Sequence, residues 1–227
     1  MVIDIELTLN RFGFGKIARN KFQLFFLRFS FWKIPNKYSI SFEINWRKKE
    51  KSLYNKVVEY VDKAFGKKKS HFERAVYWIE KLIPNATEAH KISAYAHDIE
   101  RGIKGESDRD YLNPEILKRH SEEGAEIIGK FLEKNGADIE IINKVKHLIS
   151  KHEFGGDVEQ NALMDADSIS YLETNAKHFV EKRVLEDGYE KIKEKLDWMY
   201  NRISSDEYRK FAKENYEKWS RELEKYK

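Results

Sequence analysis

His97 and Asp98 stand side by side in the string Ala96-His97-Asp98-Ile99-Glu100-Arg101, so one short backbone segment offers an imidazole nitrogen and carboxylate oxygens together. Those two donor types suit a divalent cation. Further donors lie at a distance along the chain: His71 upstream, then His120, His147, His152 and the Asp165-Ala166-Asp167 run downstream. The chain contains no cysteine, which removes thiolate ligation and a disulfide scaffold, so any metal is held by nitrogen and oxygen alone. One chemistry such an ion can serve is hydrolysis, because a bound divalent ion polarises a substrate oxygen and acidifies water.

Helices must bring these residues together, since from Ser52 onward the apolar residues recur at helical spacing. Leu53, Val57, Val58, Val61 and Phe65 form one stripe, stopped by Gly66. Ser70 with Glu73 reads as a capping box for a helix from His71 to about Leu82, which places His71 in its first turn. The next predicted helix runs from Glu88 to Arg101, carries His97 and Asp98 near its end, and stops at Gly102. After a polar loop to Asn113, Pro114 opens a helix that packs through Ile127, Ile128, Phe131 and Leu132. His147 and His152 follow the stripe of Ile141, Val145, Leu148 and Ile149. Five helical steps separate their directions by about 140°, so on one continuous helix they do not share a centre. Gly155-Gly156 breaks the pattern before a helix bearing Asp165 and Asp167, and two amphipathic helices close the chain, the last capped by Ser204 with Glu207 three residues on.

Residues 1–50 differ in both period and charge. Ile3, Ile5, Leu7 and Leu9 alternate with polar residues, as do Tyr38, Ile40, Phe42, Ile44 and Trp46, and Lys21 to Trp32 is a third strand candidate. Turns fall at Gly13 and Gly15 and at 34–37, which predicts a small antiparallel meander. This segment holds ten Lys or Arg against four Asp or Glu, so the basic excess of the whole chain belongs to it. The expected organisation is therefore a β extension over 1–50 and a helical domain over 51–227, mainly α overall.

The order His71, His97-Asp98, Asp167 resembles the HD-domain metal-dependent phosphohydrolases. The likeness spans roughly residues 51–186 and extends beyond the bare ligands. His71-Phe72-Glu73-Arg74 matches at the first position and Ala94 to Arg101 at the second; His120 to Ala125 is similar to the third-histidine segment of members with two metals. His152-Glu153-Phe154-Gly155-Gly156-Asp157 and Asp165-Ala166-Asp167-Ser168 look like a poorly characterised branch of that superfamily. The resemblance implies a helical HD-type bundle whose metal ligands are His71, His97, Asp98 and Asp167. By the same likeness Asp167 is the last ligand, because a small residue precedes it and an apolar one stands two after it, and Asp165 supports it from behind. His120 and His152 separate the two-metal version from the one-metal version, in which a protonated histidine contacts the phosphate or protonates the leaving oxygen. Asp98, His120 and His152 are thus the expected catalytic groups. Arg74, Arg101 and His147 are the candidates for substrate contact, since a guanidinium binds phosphate in a bidentate manner.

These readings give a hydrolase for a phosphomonoester or nucleotide that uses one or two divalent ions, with Mn, Ni, Co, Fe and Mg all compatible with nitrogen and oxygen donors. A phosphodiesterase for cyclic or dinucleotide substrates is the alternative within the same chemistry. A nucleic-acid-binding or regulatory protein with a structural metal is the alternative from another class, resting on the basic, aromatic N-terminal segment. A homodimer formed through the apolar sheet face is expected, as is a cytoplasmic location, since no run of about 20 apolar residues is present to span a membrane and residues 1–6 lack a basic leader.

Overall fold

The computed structural model describes residues 5–8, 23–34, 37–48, 51–66, 70–105 and 112–227, with side chains described from residue 51 onward. The chain divides into two compact units, Met1–Lys51 and Ser52–Lys227. In the first, strands β1 (Ile5–Thr8), β2 (Gln23–Ile34) and β3 (Lys37–Lys48) pair antiparallel in the order β1-β2-β3. Register is set by pairs such as Ile5 with Phe29 and Phe29 with Phe42. The turn expected at Gly13 and Gly15 and the sheet face expected to mediate dimerisation lie outside the described residues and side chains.

The second unit is mainly helical. Helix α1 (Leu53–Phe65) starts where the Ser52 hydroxyl accepts from Asn55 N and ends at Gly66, whose φ of 67° favours glycine. It is followed by α2 (Ser70–Leu82), α3 (Glu88–Ala96) and α4 (Ile99–Lys104). Next come α5 (Pro114–Lys134), α6 (Ile139–Ile149) and α7 (Val158–Thr174). A broken segment then comprises α8 (Ala176–His178), a π turn (Phe179–Arg183) and α9 (Val184–Asp187), before α10 (Tyr189–Asn201) and α11 (Asp206–Leu223).

Helix α7 is the axis of the unit. Asp157 caps it, accepting from Glu159 N and Gln160 N, and every residue from Ala162 to Leu172 is buried beneath α2, α3, α6, α10 and α11. A helix enclosed on all sides is apolar all round except where polar groups serve one another. Leu163, Ile169 and Leu172 are fully buried, each worth about 2 kcal/mol relative to exposure. Asp165 and Asp167 are therefore carried into the interior by a backbone that cannot swing them out to water.

Three boundaries differ from the expected ones. The helix predicted over 88–101 is interrupted at His97 and Asp98, which form a turn between α3 and α4. Gly102 does not stop a helix; α4 runs through it to a left-handed Gly105. Gly102 is instead a point of close approach, where a Cβ would stand 2.5 Å from the Phe65 ring. Ser205, not Ser204, caps α11, because the Ser204 hydroxyl and amide both donate to the Asp165 carboxylate. Among the described residues no helix is long and apolar enough to cross a membrane.

Candidate metal centre

Two groups of donor atoms converge in the helical unit: His71, His97 and Asp167 in one, and Asp98, His120, His152 and Glu153 in the other. His71 comes from the first turn of α2, His97 and Asp98 from the α3–α4 turn, His120 from α5, His152 and Glu153 from the turn after α6, and Asp167 from the middle of α7. All the imidazoles are buried, His97 and His152 completely.

Local backbone chemistry aims each ring. His97 and His152 sit just beyond helix C-termini, where the last carbonyls lack intrahelical donors. His97 Nδ1 donates to Ala94 O at 2.9 Å and His152 Nδ1 donates to Ile149 O at 2.8 Å, which turns both Nε2 lone pairs inward. The Ser170 hydroxyl donates to Asp167 O at 2.9 Å, so its oxygen accepts from His71 Nδ1 at 3.1 Å. His120 Nδ1 donates to Glu100 Oε2 at 2.8 Å. Four rings thus have an outer nitrogen anchored to an oxygen and an Nε2 facing the centre, the arrangement by which outer partners orient metal-binding histidines.

In the first group His71 Nε2 lies 3.2 Å from His97 Nε2, and Asp167 Oδ1 lies 3.1 Å from the former and 3.3 Å from the latter. Ligands about 2.1 Å from a cation stand about 3.0 Å apart at a right angle and about 3.4 Å apart at the tetrahedral angle. The triangle therefore has the size of one face of a coordination sphere. In the second group Asp98 Oδ1 is 3.0 Å from His120 Nε2 and 4.0 Å from His152 Nε2, and Glu153 Oε1 is 3.9 Å from His120 Nε2 and 3.7 Å from His152 Nε2. This set is wider. Its strongest mark is His152 Nε2, a buried nitrogen with no hydrogen-bond partner. Orphaned buried polar atoms are costly, so this lone pair is a vacant donor for a cation. The residues present fit one or two divalent ions.

Electrostatics keep the carboxylates ionised and His152 neutral. Burial opposes ionisation of Asp98, but Arg101, His97 and His120 outweigh it and keep the carboxyl well below the usual range. For Asp167, burial is likewise overcome, by His97, Arg202 and the two imidazole hydrogen bonds. His152 is pushed down to about 4, chiefly by burial, and so is neutral. Burial lowers His97 too, but the Asp98 and Asp167 carboxylates raise it to about 9. Glu153 is also buried, yet the Arg202 and Arg101 guanidiniums bring it to about 2.

The structure gathers His71, His97, Asp98, His120, His152 and Asp167, and it places Arg101 beside them, with guanidinium nitrogens 3.3 Å from Asp98 Oδ1 and 3.0 Å from Glu153 Oε1. Two of the expected substrate contacts are engaged elsewhere. Arg74 forms a two-point pair with Glu173, at 2.6 and 2.8 Å, and lies over the Tyr77 ring. His147 is half-exposed and bonded to Asp157 at 2.6 Å. Because α6 ends at Ile149, His152 is not on the helix of His147 and reaches the centre independently. Asp165 holds Ser204, at 2.7 Å to the amide and 2.6 Å to the hydroxyl, and so anchors the α10–α11 connection behind Asp167.

Four residues at the site have no role assigned from the sequence. Glu100 anchors His120 and accepts from Lys104; Ser170 anchors His71; Glu153 completes the second group; and Arg202, just after α10, bonds both Glu153, at 2.6 Å, and Asp167. Glu153 stood beside His152 in a recognisable string, and Glu100 two residues after Asp98, but nothing marks Arg202 among the many basic residues of the C-terminal region.

No curated protein and no solved structure matches the chain in comparison with known proteins. Residues 54–225 match a family described as a domain of unknown function, DUF4202, which covers the helical unit and all of the converging donors, and to that family the chain belongs.

Proposed function

We propose that the helical unit is a metal-dependent phosphohydrolase of the HD type, acting on a phosphomonoester or nucleotide, with the N-terminal strands as an appended extension. The observation that carries this reading is the convergence of four outward-anchored imidazoles on Asp98 and Asp167. His71, His97, Asp98 and Asp167 would hold an ion such as Mn, Ni, Co, Fe or Mg. When bound, the ion supplies polarisation of the phosphoryl oxygen and acidification of the attacking water.

The chain's own groups supply access, orientation and a proton. Asp98 has 17% side-chain exposure and Arg101 29%, against 8% or less for His71, His97 and Asp167, so the substrate's phosphate enters on the Asp98–Arg101 side. Arg101 presents its guanidinium there, fixed in place by Asp98 and Glu153. His120 is raised, since its bonds to Asp98 and Glu100 outweigh burial and Arg101, and in a one-ion enzyme its Nε2 proton is aimed to leave with the ester oxygen.

The second donor group favours a second reading, a two-ion phosphodiesterase for cyclic or dinucleotide substrates, in which Asp98, His120, His152 and Glu153 hold the other ion. Metal analysis of the purified chain separates one ion from two. A screen of phosphate esters and cyclic nucleotides with each cation then tests the activity: metal-dependent product release that Asp98→Ala abolishes is expected. Tight metal binding with no hydrolysis under any cation would instead support a structural metal in a regulatory or nucleic-acid-binding protein.

A further inference from the structure

Among the described residues, Lys195 is a buried ammonium that no carboxylate pairs with directly. It lies on α10 and is 6% exposed, and its Nζ faces two aromatic rings, 4.7 Å from the Trp198 centroid and 5.6 Å from that of Tyr171. Among the described residues it makes no hydrogen bond or ion pair with a carboxylate. The nearby acids are already engaged: Glu153 by Arg101 and Arg202, and Asp167 by Arg202, His71 and His97. The Trp198 ring also carries Arg202, whose guanidinium carbon is 4.1 Å from the centroid, so one indole supports both the lysine and the arginine that reaches Asp167.

A charge buried this deeply is retained only where something compensates it, and cation–π contact alone offsets only part of what burying an ion costs. The deficit is positive charge waiting for an anion beside the donor cluster. Burial lowers the Lys195 ammonium to about 8 against the pull of Glu153 and Asp167, and Arg101 and Arg202 add to the lowering.

We propose that Lys195, backed by Trp198 and Tyr171 and flanked by Arg202, is an anion-binding subsite that receives a phosphoryl group at the edge of the metal centre. This deepens the phosphohydrolase reading: it assigns the substrate's phosphoryl oxygens a second cationic contact besides Arg101, which Asp98 and Glu153 hold in place, whereas among the described residues no carboxylate bonds Lys195. An ammonium suits the task because its three donors follow a tetrahedral phosphoryl group without imposing a planar fork.

The test is calorimetric titration of inorganic phosphate into the full chain, as metal-free and as metal-loaded protein, for wild type, Lys195→Met and Lys195→Arg. The expected result is a loss of phosphate affinity of about tenfold or more in Lys195→Met, with partial recovery in Lys195→Arg, in both metal states and with metal content unchanged. Equal affinity in wild type and Lys195→Met, or no phosphate binding by the wild type, would overturn the subsite. Should Lys195→Met fail to fold, the charge-removing Lys195→Gln decides: a loss of phosphate affinity of about tenfold supports the subsite, and affinity within about threefold of wild type overturns it. The readout needs no turnover, so a protein that binds phosphate through Lys195 yet hydrolyses nothing would sink the hydrolase reading alone, and hydrolysis indifferent to Lys195 would sink the subsite alone.

Discussion

Asp98 Oδ1 lies 3.0 Å from His120 Nε2, while its other oxygen, Oδ2, lies 3.6 Å from His97 Nε2. One carboxylate thereby faces both donor groups, and the break between α3 and α4 is what turns it so. Replacing Asp98 with Asn leaves the shape and removes the charge. Asp98→Asn is expected to lower bound metal and any metal-dependent hydrolysis by at least about 100-fold, read by elemental analysis and product release. Unchanged metal content would show that the two groups do not depend on this residue.

The Ser170 hydroxyl fixes the tautomer of His71 by accepting from Nδ1. Ser170→Ala removes that acceptor without touching a ligand. Metal affinity is expected to fall about 10- to 100-fold, with Ser170→Thr restoring most of it. A competition titration against a chelating dye measures this; an affinity unaltered by the alanine would mean that His71 is oriented by packing alone.

Arg202 joins Glu153 to Asp167 across the two groups and has 7% side-chain exposure. Removing it leaves two buried carboxylates facing each other's field. Arg202→Met should destabilise the metal-free protein by about 3 kcal/mol, seen as a lower denaturant midpoint, and added divalent metal should recover part of that loss by supplying the missing positive charge. If metal gives mutant and wild type the same increment, the coupling is absent.

Lys195 sets a stability that depends on pH. Its folded value is lowered to about 8 from 10.5, mainly by burial, so between these values the unfolded chain binds more protons than the folded one. The penalty is full below pH 8 and fades as pH rises toward 10.5. Lys195→Met should accordingly be more stable than wild type at neutral pH, by about 2 kcal/mol, with the difference shrinking on the alkaline side. A difference that stays constant from neutral to alkaline pH in urea unfolding would contradict this account.

Gly102 lets α4 pass over Phe65, where a Cβ would meet ring carbons at 2.5 to 2.9 Å. Gly102→Ala is expected to cost about 1 to 3 kcal/mol and to weaken metal binding by shifting the turn that bears Asp98. Trimming the ring in a Phe65→Leu double variant should return much of the stability. A double variant no better than the single one would place the strain elsewhere.

Local chemistry was legible in the residues: the stripe of Val57 and Val61, the stop at Gly66, Pro114 opening α5 and the donors of the four imidazoles all follow from spacing and residue type. Periodicity reports which face of a helix is apolar, and it does so without reference to any other helix. It could not report that the 88–101 helix breaks at His97, that Gly102 serves contact rather than termination, or that Asp165 draws Ser204 away from capping α11. Arg74 and His147 looked as eligible as Arg101 because a guanidinium or imidazole has the same chemistry wherever it points. Glu173 and Asp157 claimed them only once the helices had packed. Arg202 and Lys195 became visible last, since their significance lies wholly in which acids stand near them, and those acids come from the α6–α7 turn and α7, 28 or more residues away in the chain. The sequence by itself determined the helices and the kinds of atom available; the packing around the buried α7 decided which of those atoms meet, because convergence is a property of distances between elements that no single element encodes.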